Sequence, residues 1–501
     1  MIVMVSKKIL SVMILFVMVV PVGITTNFLN ISGNDVPLTM EQKSRQAVGD
    51  VPPDNVTIVV DVMRLRTMTV NCDDPGLYFK IFINGENSVW MDQVYNGKDI
   101  WFEWPTAAAT IPYDVNKTVI IQIEVWEEER GQDIQCDLSK EKGPYEGGKT
   151  ITIFYDLKRG EWTGDDYLKD GNGYGHCSGF EDGNEDENDC EIWFDIYQWG
   201  DSGWWGNEDR LTYWEKVHVY GLNGSKNYGN VDFNGDGIPI EWEDKYGFDP
   251  FAESNASEQD PDNDGLTNYE EYETSKWFSD PFAQDIFVEV DGMQAKHPWE
   301  KPYTLPKESQ NMICNPFARH NITLHIDDGN LCGGGDLIPY KEGMSGRDLM
   351  AARFKYFLNE DEHNWKRGVF HYALICSQIQ WYGRPAGGRM FYIDAHTVGG
   401  QYVRNWAWAF YLQGSNYYKA FASVFMHELG HTLGLMSFEG IDNEKTRFPW
   451  YKEYWEWGTY KSCMNYRYVY KLVDYSSGDD PDHDQNDWAT LDLTRFTEEG
   501  W

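Results

Sequence analysis

The chain has 501 residues, a formal net charge of −39 at pH 7, 41% hydrophobic residues and 16% aromatic residues. This length exceeds what one hydrophobic core supports, so we expect several domains, and the aromatic content excludes a largely disordered acidic polymer. We expect no nucleic-acid partner, because phosphate binding needs clustered lysine and arginine residues. Divalent cations match the acidic loops better, and adaptation to high salt is the competing explanation of the charge.

Residues 1–26 have the pattern of a secretory signal. A weak basic patch precedes the apolar run 9–20, and Pro21 follows it. The run is shorter than the ~20 apolar residues of a membrane span, but no clear cleavage site follows. The sequence therefore predicts a secreted, extracellular protein. The alternative is an anchor formed by residues 9–22, which would be the sole membrane contact. The polar residues 27–54 predict a linker.

Residues 55–200 predict an antiparallel β-sandwich. Segments rich in β-branched and aromatic residues are separated by Gly, Pro, Asn and Asp turns, which is typical of this architecture. The predicted strands are VTIVVDVMRL, LYFKIFING, TVIIQIEVWEE, KTITIFYDL and EIWFDIYQW.

Two stretches of this region, CDDPGLYFKIFING and IIQIEVWEEERGQDIQCDL, resemble the pattern of C2-type domains, whose acidic loops at one end of the sandwich can hold calcium. The resemblance implies calcium or lipid binding. The alternative is a structural sandwich whose two loops are joined by a disulfide between Cys72 and Cys136. The candidate binding residues are Asp73 and Asp74 in one loop and Glu127, Asp133 and Asp137 near the other.

Eight cysteines in an exported chain suggest four disulfides. Sequence alone does not prove the connectivity. Their order allows a simple pairing of neighbours, which would join Cys72 to Cys136, Cys177 to Cys190, Cys314 to Cys332 and Cys376 to Cys463.

Residues 201–284 contain two acidic loops, DFNGDGIPIEWE and DPDNDGLTNYEE, which start 28 residues apart. Each places oxygen-bearing side chains at the ligand positions of an EF-hand-type loop, and a glycine where that loop turns sharply. The sequence therefore predicts two calcium sites. Their ligands are Asp232, Asn234, Asp236 and Glu243 in the first loop and Asp260, Asp262, Asp264 and Glu271 in the second.

Few helix-forming residues precede the first loop, so true helix–loop–helix pairs are not expected. The segment resembles the calcium repeats of thrombospondin type 3 and dockerin-like segments, in which such a loop is followed by Asp-Pro. The resemblance implies a rigid, calcium-ordered spacer that loosens when the ion is removed.

Over residues 285–501, strand and helix signals alternate and predict an α/β domain. DIFVEV, ITLHID and VFHYALIC are predicted strands. Helices are predicted near 307–320, over RDLMAARFKYFLNE and over YYKAFASVFMHELGHTLG.

The last of these helices contains HELGHTLGL, in which His427 and His431 lie four residues apart on one face and can bind a single zinc ion. Glu428 can take a proton from a water that attacks a peptide carbonyl and pass it to the leaving amine. A charged pair on an exposed helix is the alternative. Ala420 and Val424 continue the histidine stripe, however, and predict that this face points inward.

HELGHTLGL resembles the HExxHxxG stretch of the metzincin metallopeptidases, with Gly434 where the chain leaves the helix. SCMNY resembles their methionine turn, with Met464 beneath the zinc and Tyr466 two positions later. The resemblance implies that Tyr466 coordinates the metal or stabilises the oxyanion of the tetrahedral intermediate. Where metzincins carry a third histidine or an aspartate, this chain has Ser437, and serine is a poor zinc ligand.

The third zinc ligand is therefore open. Asp442 is the first candidate because it lies in the segment leaving the helix and offers an oxygen, and Glu439 is the second. His483 and His396 are weaker candidates.

We thus expect a multidomain protein with an N-terminal antiparallel β-sandwich, a calcium-loop spacer and a C-terminal metzincin-like α/β domain. The expected function is that of a secreted zinc endopeptidase that uses Zn²⁺ and Ca²⁺ and acts on a protein or peptide substrate. The alternative is a calcium-dependent surface binding or adhesion protein with an inactive peptidase-like domain.

Overall fold

The predicted signal, most of the linker, Cys72, Asp73, Asp74, Cys332 and Ser437 lie outside the residues that the structure describes. All described residues belong to the unit Leu38–Trp501. The computed structural model describes residues 52–67, 75–90, 93–102, 104–129, 131–139, 149–166, 173–179, 188–199, 209–252, 256–329, 331, 333–381, 384–411, 415–436, 438–479 and 482–497.

The N-terminal strands form two antiparallel sheets. In the first, the order is β11 (Gly175–Ser178), β12 (Cys190–Trp199), β1 (Asn55–Thr67) and β5 (Asp99–Trp101), and β6 (Ala107–Pro112) also pairs with β1. In the second, the order is β10 (Trp162–Gly164), β9 (Ile151–Asp156), β7 (Thr118–Glu127), β2 (Gly76–Ile83) and β3 (Glu86–Asn87), with β4 (Tyr95–Asn96) beside β2 and β8 (Ile134–Gln135) beside β7.

One buried cluster joins these two sheets. Every second residue of β2 and of β7 is buried, as expected for strands with one face on a core. Ile58 and Val60 of the first sheet lie in the same cluster as Ile121 and Ile123 of the second. The predicted sandwich and its five strands are confirmed.

The predicted ligands of the C2-like loops have local partners wherever the structure describes them. Glu127 accepts a hydrogen bond from Asn188 at 2.7 Å, and Asp133 accepts one from the Tyr78 hydroxyl at 2.9 Å. Among the described residues, no acidic side chain of the sandwich belongs to a cluster with metal-ligand spacing. Calcium or lipid binding by the sandwich stays a prediction.

The neighbour pairing of the cysteines is wrong for Cys177–Cys190 and Cys376–Cys463, since no disulfide joins two described cysteines. Cys177 Sγ donates to the carbonyl of Asp165 at 2.6 Å. Cys190 instead lies within hydrogen-bonding reach of Cys136, and this contact together with burial raises the pKa of the Cys190 thiol. The physical reason is that β12 runs beside the segment after β8, where the amide of Cys190 donates to the carbonyl of Asp137 at 2.8 Å.

Each acidic loop is followed by a short helix, α1 (Ile240–Lys245) after the first loop and α2 (Asn268–Thr274) after the second. Thr267 caps α2, because its hydroxyl accepts from the amide of Glu270 while Glu270 accepts from the amide of Thr267. Among the described residues between the sandwich and the first loop, one short helical segment covers residues 213–219, and it is π-helical over Glu215–Val219.

The sandwich contacts the residues that follow the second loop. Phe278 stacks on Trp101 and Trp193 with ring centroids 5.3 and 5.6 Å apart, and Tyr174 meets its edge. These aromatic contacts continue the apolar packing from the sandwich to the second loop.

The C-terminal residues form a mixed sheet with the order β14 (Thr323–Asp327), β13 (Asp285–Met293), β16 (Phe370–Cys376), β20 (Ala395–Gly399) and β19 (Gly388–Tyr392). The first four strands are parallel, and β19 is antiparallel to β20. All residues of β13 and β16 are buried, as expected for central parallel strands covered on both faces. Smaller pairings involve β15 (Leu337–Ile338) with β13, and β17 (Ile379–Trp381) with β18 (Arg384–Ala386).

The helices of this region are α3 (Lys307–Ala318), α4 (Gly346–Ala352), α5 (Gly400–Tyr411), α6 (Tyr417–Thr432), α7 (Lys452–Glu456) and α8 (Asp487–Thr490). The predicted α/β alternation is present. The helix predicted over RDLMAARFKYFLNE is present as α4 followed directly by a π-helical turn, Arg353–Phe357, so that only its last residues are not helical. In the π-helical turn the guanidinium of Arg353 reaches back to the buried carboxylate of Asp394.

Helix α6 lies between the sheet and two other helices, since it packs against α3, α5, β19 and β20. Thirteen of its sixteen residues are buried, from Ala420 to Thr432. In the part of the chain that the structure describes, α6 is therefore a core helix, and no helix there is long and apolar enough to cross a membrane.

Candidate metal centre

Helix α6 has well-defined ends. Asn416 caps its first turn, because its side chain accepts from the amide of Lys419 at 2.7 Å. After Thr432 the chain turns at Gly434, whose φ of +91° is a left-handed conformation that favours glycine. The amide of Leu435 closes this turn on the carbonyl of Gly430 at 2.9 Å. The predicted role of Gly434 is confirmed.

The two helix histidines are held by backbone carbonyls. Nδ1 of His427 lies 2.8 Å from the carbonyl of Cys463, and Nδ1 of His431 lies 2.8 Å from the carbonyl of Leu435. A carbonyl only accepts, so each Nδ1 carries the proton and each Nε2 of a neutral ring offers its lone pair. Such second contacts fix the ring orientation of metal-binding histidines.

Both Nε2 atoms point at one carboxylate, that of Asp442. Its Oδ1 lies 3.0 Å from His427 Nε2 and its Oδ2 lies 3.3 Å from His431 Nε2. Two ligands about 2.1 Å from a tetrahedral zinc ion lie about 3.4 Å apart, so these spacings fit a metal centre. The ligand atoms of the three residues lie within 4.8 Å of one another.

Asp442 reaches this position through an unusual backbone turn. Its φ of +54° lies in the left-handed region, which aspartate tolerates better than most residues. Its amide donates to the carbonyl of Met464 at 3.3 Å. The side chain is 47% exposed whereas His427 is 4% exposed, so the centre opens to solvent on the side of Asp442.

The three side chains perturb each other strongly. Burial lowers the pKa of His427, but hydrogen bonding to Asp442 and the nearby charges outweigh this and raise it to about 9. Burial works against ionisation of Asp442, yet the two histidines hold the pKa of its carboxyl well below the usual range. A cation bound between the two histidines and Asp442 would replace the protons that now lie between these side chains.

Glu428 is buried beside the histidines and faces the edge strand β19. Burial raises the pKa of its carboxyl, and the carboxylate accepts a hydrogen bond from the amide of Met390. Gly388 of the same strand is needed here, because a Cβ at that position would clash with the Glu428 carboxylate. The strand therefore lies directly along the acidic group.

Met464 and Tyr466 both lie against the residues of the centre. Met464 is fully buried under α6, where a Cβ added at Gly430 would meet its Sδ at 2.8 Å. The ring of Tyr466 stacks on His427 with centroids 5.7 Å apart, and its hydroxyl donates to Asp442. Burial and this bond to an anion raise the pKa of Tyr466.

The other candidates for the third ligand lie elsewhere. His483 contacts Glu456 at 3.6 Å and packs on Trp457, whereas His396 is buried against Phe425. Neither these two nor Glu439 joins the histidine cluster among the described residues. Of the four candidates, the structure brings only Asp442 to the two histidines.

The two acidic loops differ in how closely their carboxylates gather. In the second loop, Asp260, Asp262 and Asp264 offer ligand atoms within 4.8 Å of one another, but the acids of the first loop form no cluster of this spacing. The glycines at the predicted turns, Gly237 and Gly265, have φ of +95° and +97°. Both loops thus have the predicted backbone turn.

Several carboxylate oxygens of these loops are buried without a hydrogen-bond partner, namely Asp236 Oδ2, Glu243 Oε2, Asp260 Oδ1, Asp262 Oδ2 and Glu271 Oε1. Burial, followed by the neighbouring acids, raises the pKa of Asp262 to about 9, of Glu243 to about 8 and of Asp264 to about 7. Unpaired buried carboxylates are costly, and oxygen ligands of this kind suit Ca²⁺.

Sequence reasoning missed three features near these sites. Asp285, the first residue of β13, joins Asp264 and Glu271 in a further acidic cluster. The guanidinium of Arg447 lies 4.6 Å above the ring of Tyr466. Edge strand β19, beside Glu428, is short and lacks a clear alternating pattern. An acidic residue within a buried strand, as Asp285 is in DIFVEV, was the available signal for the first of these.

No family model matches the chain, and no curated protein matches it. Solved structures that are similar to part of it include two C2-domain proteins. A structure of a C2 domain has 14% identity and a TM-score of 0.17, covering 28% of this chain and 97% of that one. A C2 domain protein from Ramazzottius varieornatus has 9% identity and a TM-score of 0.18, covering 30% and 91%. TM-scores this low do not establish a shared fold, so the case for the metal centre depends on its own geometry.

Proposed function

We propose that the chain is a zinc-dependent endopeptidase of the metzincin type, with His427, His431 and Asp442 as the zinc ligands. The observation that carries this proposal is the convergence of two histidine Nε2 atoms and one carboxylate beside the buried Glu428. Two nitrogens and one oxygen are a typical ligand set for catalytic zinc, which keeps a further position open.

Zinc, when bound there, supplies a Lewis acid that activates water near neutral pH. The carboxylate of Glu428 accepts the proton of the attacking water and delivers it to the leaving amine. Burial raises the pKa of its carboxyl, which favours its second role as the acid that protonates the leaving amine. The hydroxyl of Tyr466 donates to Asp442 in the structure. We propose that it turns to the oxyanion that develops on the substrate once Asp442 binds the metal.

Strand β19 provides a surface for the substrate. It is the last strand of the described sheet order, so one of its edges has no partner strand there. An extended peptide can add to such an edge through main-chain hydrogen bonds. Because Gly388 and Met390 of this strand contact Glu428, a peptide bound there would pass the general base.

We also propose that the two acidic loops bind Ca²⁺. The support is the set of buried, unpartnered carboxylate oxygens, which a divalent cation would satisfy. Calcium would then order the segment between the sandwich and the C-terminal sheet, as structural ions do when ligands repel one another without them.

The test is digestion of denatured casein by the full chain, after chelation and again after zinc is added back. We expect activity to return with zinc and Glu428→Gln to reduce it by about 10²-fold to 10⁴-fold while zinc stays bound. The matched control is Glu439→Gln, the same change at an exposed acid of the segment after the helix. Equal activity of Glu428→Gln and the wild type would contradict the mechanism.

A further inference from the structure

We propose that Asp285, which lies outside the second acidic loop, binds the same cation as Asp264 and Glu271, so that calcium orders strand β13 of the C-terminal sheet. This inference rests on the proposed calcium occupancy of the loop. It extends the proposed ordering effect of calcium from the spacer segment to the sheet against which helix α6 packs.

The three carboxylates form a buried cluster. Asp264, Glu271 and Asp285 are 0%, 1% and 2% exposed, and their ligand atoms lie within 4.8 Å of one another. Asp264 and Glu271 belong to the loop, whereas Asp285 is the first residue of β13. The backbone joins them as well, because the amide of Asp285 donates to Asp264 Oδ2 at 2.7 Å.

This cluster points to a ligand because one of its buried oxygens has no partner, although Asp285 Oδ2 accepts from the amide of Asp280 at 2.9 Å and Glu271 Oε2 accepts from the Ser279 hydroxyl. Oε1 of the fully buried Glu271 has no hydrogen-bond partner. Among the described residues, no lysine or arginine lies within ion-pair distance of the three acids, and the imidazole of His325 at 2.7 Å from Asp285 is the basic group that contacts them. Burial and then Asp285 raise the pKa of both Asp264 and Glu271.

The ligand atoms of the cluster indicate which class of ion would bind. All the candidate donors are oxygens, most of them charged, which suits a hard divalent cation. Ca²⁺ accepts six to eight oxygens in flexible geometry, whereas Mg²⁺ demands near-octahedral geometry. A loop that already offers several carboxylates and gains one more from outside therefore favours Ca²⁺.

Asp285 has direct connections into the sheet. Its Oδ1 contacts His325 of β14, and β13 pairs in parallel with both β14 and β16. From β16 the sheet continues through β20 to β19, the strand beside Glu428. A second contact joins the loop to the residue before β13, since the side-chain amide of Gln284 donates to the carbonyl of Asp262 at 3.1 Å.

The first loop provides a matched control. Its buried acid, Glu243, has an unpartnered oxygen like that of Glu271, but the acids of the first loop form no such cluster with a residue of the C-terminal sheet. Calcium in the first loop is therefore expected to order that loop without acting on β13.

The experiment is hydrogen exchange of the full chain at a series of Ca²⁺ concentrations, with zinc constant and Glu428→Gln as the background to prevent self-digestion. We expect Ca²⁺ to slow exchange of the β13 amides. The Ca²⁺ midpoint of this effect should rise about 10-fold to 100-fold in Asp285→Asn, as for other residues that support a metal site. Glu243→Gln should shift only the first-loop amides.

Slowed exchange in the second loop with β13 amides indifferent to Ca²⁺ would overturn the proposal, as would an unchanged β13 midpoint in Asp285→Asn. If Asp285→Asn does not fold, the same measurement is made on Glu271→Gln. An unchanged Ca²⁺ midpoint of the β13 amides in that variant would then overturn the proposal. Indifference of both loops to Ca²⁺ would overturn the proposed calcium occupancy and this inference with it. Casein digestion tests the zinc site separately, so its failure is distinguishable.

Discussion

Gly430→Ala tests how closely the turn that contains Met464 packs against helix α6. Gly430 lies between His427 and His431, the two proposed zinc ligands of the helix, and a Cβ there would meet Met464 Sδ at 2.8 Å and Tyr475 Oη at 3.0 Å. Tyr475 is fixed, since its hydroxyl donates to the carbonyl of Met426 in the same helix at 2.7 Å. Either α6 or the turn must therefore move.

The magnitude follows from two opposing effects. Replacing glycine by alanine inside a helix gains about 1 kcal/mol of helix propensity. Overpacking a filled core costs about 1 to 3 kcal/mol. We expect Gly430→Ala to leave stability equal to the wild type or reduce it by up to about 2 kcal/mol. A shift of about 1 Å in the histidines should lower hydrolysis by about 10²-fold.

Denaturant unfolding and zinc-dependent casein digestion measure the two effects. The control is Gly346→Ala, at the start of α4, where a Cβ meets nothing within 4 Å. That change should stabilise the chain by about 0.4 to 1 kcal/mol without altering activity. If Gly430→Ala behaves like Gly346→Ala in both assays, the close packing of Met464 against the helix is refuted.

Three further predictions concern other parts of the chain. At saturating zinc, Tyr466→Phe should lower kcat by about 10²-fold, because it removes one oxyanion donor; a normal kcat would exclude that role. Without calcium, the thermal midpoint should fall as pH rises from about 4 to about 9. Over this range the folded state keeps a proton on Asp262, whose pKa is raised to about 9, whereas the unfolded state has lost that proton. Excess Ca²⁺ should flatten this slope, and a rising midpoint would contradict the burial of the acids. After incubation with oxidised glutathione, non-reducing peptide mapping should recover Cys136 joined to Cys190; recovery of Cys177 with Cys190 would restore the neighbour pairing.

Local patterns in the sequence predicted most of the elements. The four-residue spacing of His427 and His431 implies one helix face, and the alternating strands imply a sandwich, because both periods follow directly from backbone geometry. The glycine turns of the acidic loops and Gly434 were predictable for the same reason, since positive φ favours glycine.

Features that depend on tertiary packing were not predictable. Asp442 was the first of four candidates for the third ligand, but the turn that brings it to the histidines, a left-handed aspartate whose amide donates to the carbonyl of Met464, is not encoded in any sequence spacing. The sequence predicts Asp285 only as a strand residue. Its place beside Asp264 and Glu271 depends on the packing of the second loop against β13. The nearest partner of Cys190 likewise depends on which segments lie side by side in the sandwich.

Zinc content is the most direct test of the central claim, that His427, His431 and Asp442 together hold one catalytic metal ion. The full chain is stripped with a chelator, reconstituted with excess Zn²⁺, freed of unbound ion and analysed for metal. We predict about one zinc ion per chain in the wild type and a large loss in Asp442→Ala, because a typical catalytic zinc site has three protein ligands. A wild-type chain that retains no zinc after reconstitution would contradict the account and favour a calcium-dependent binding protein.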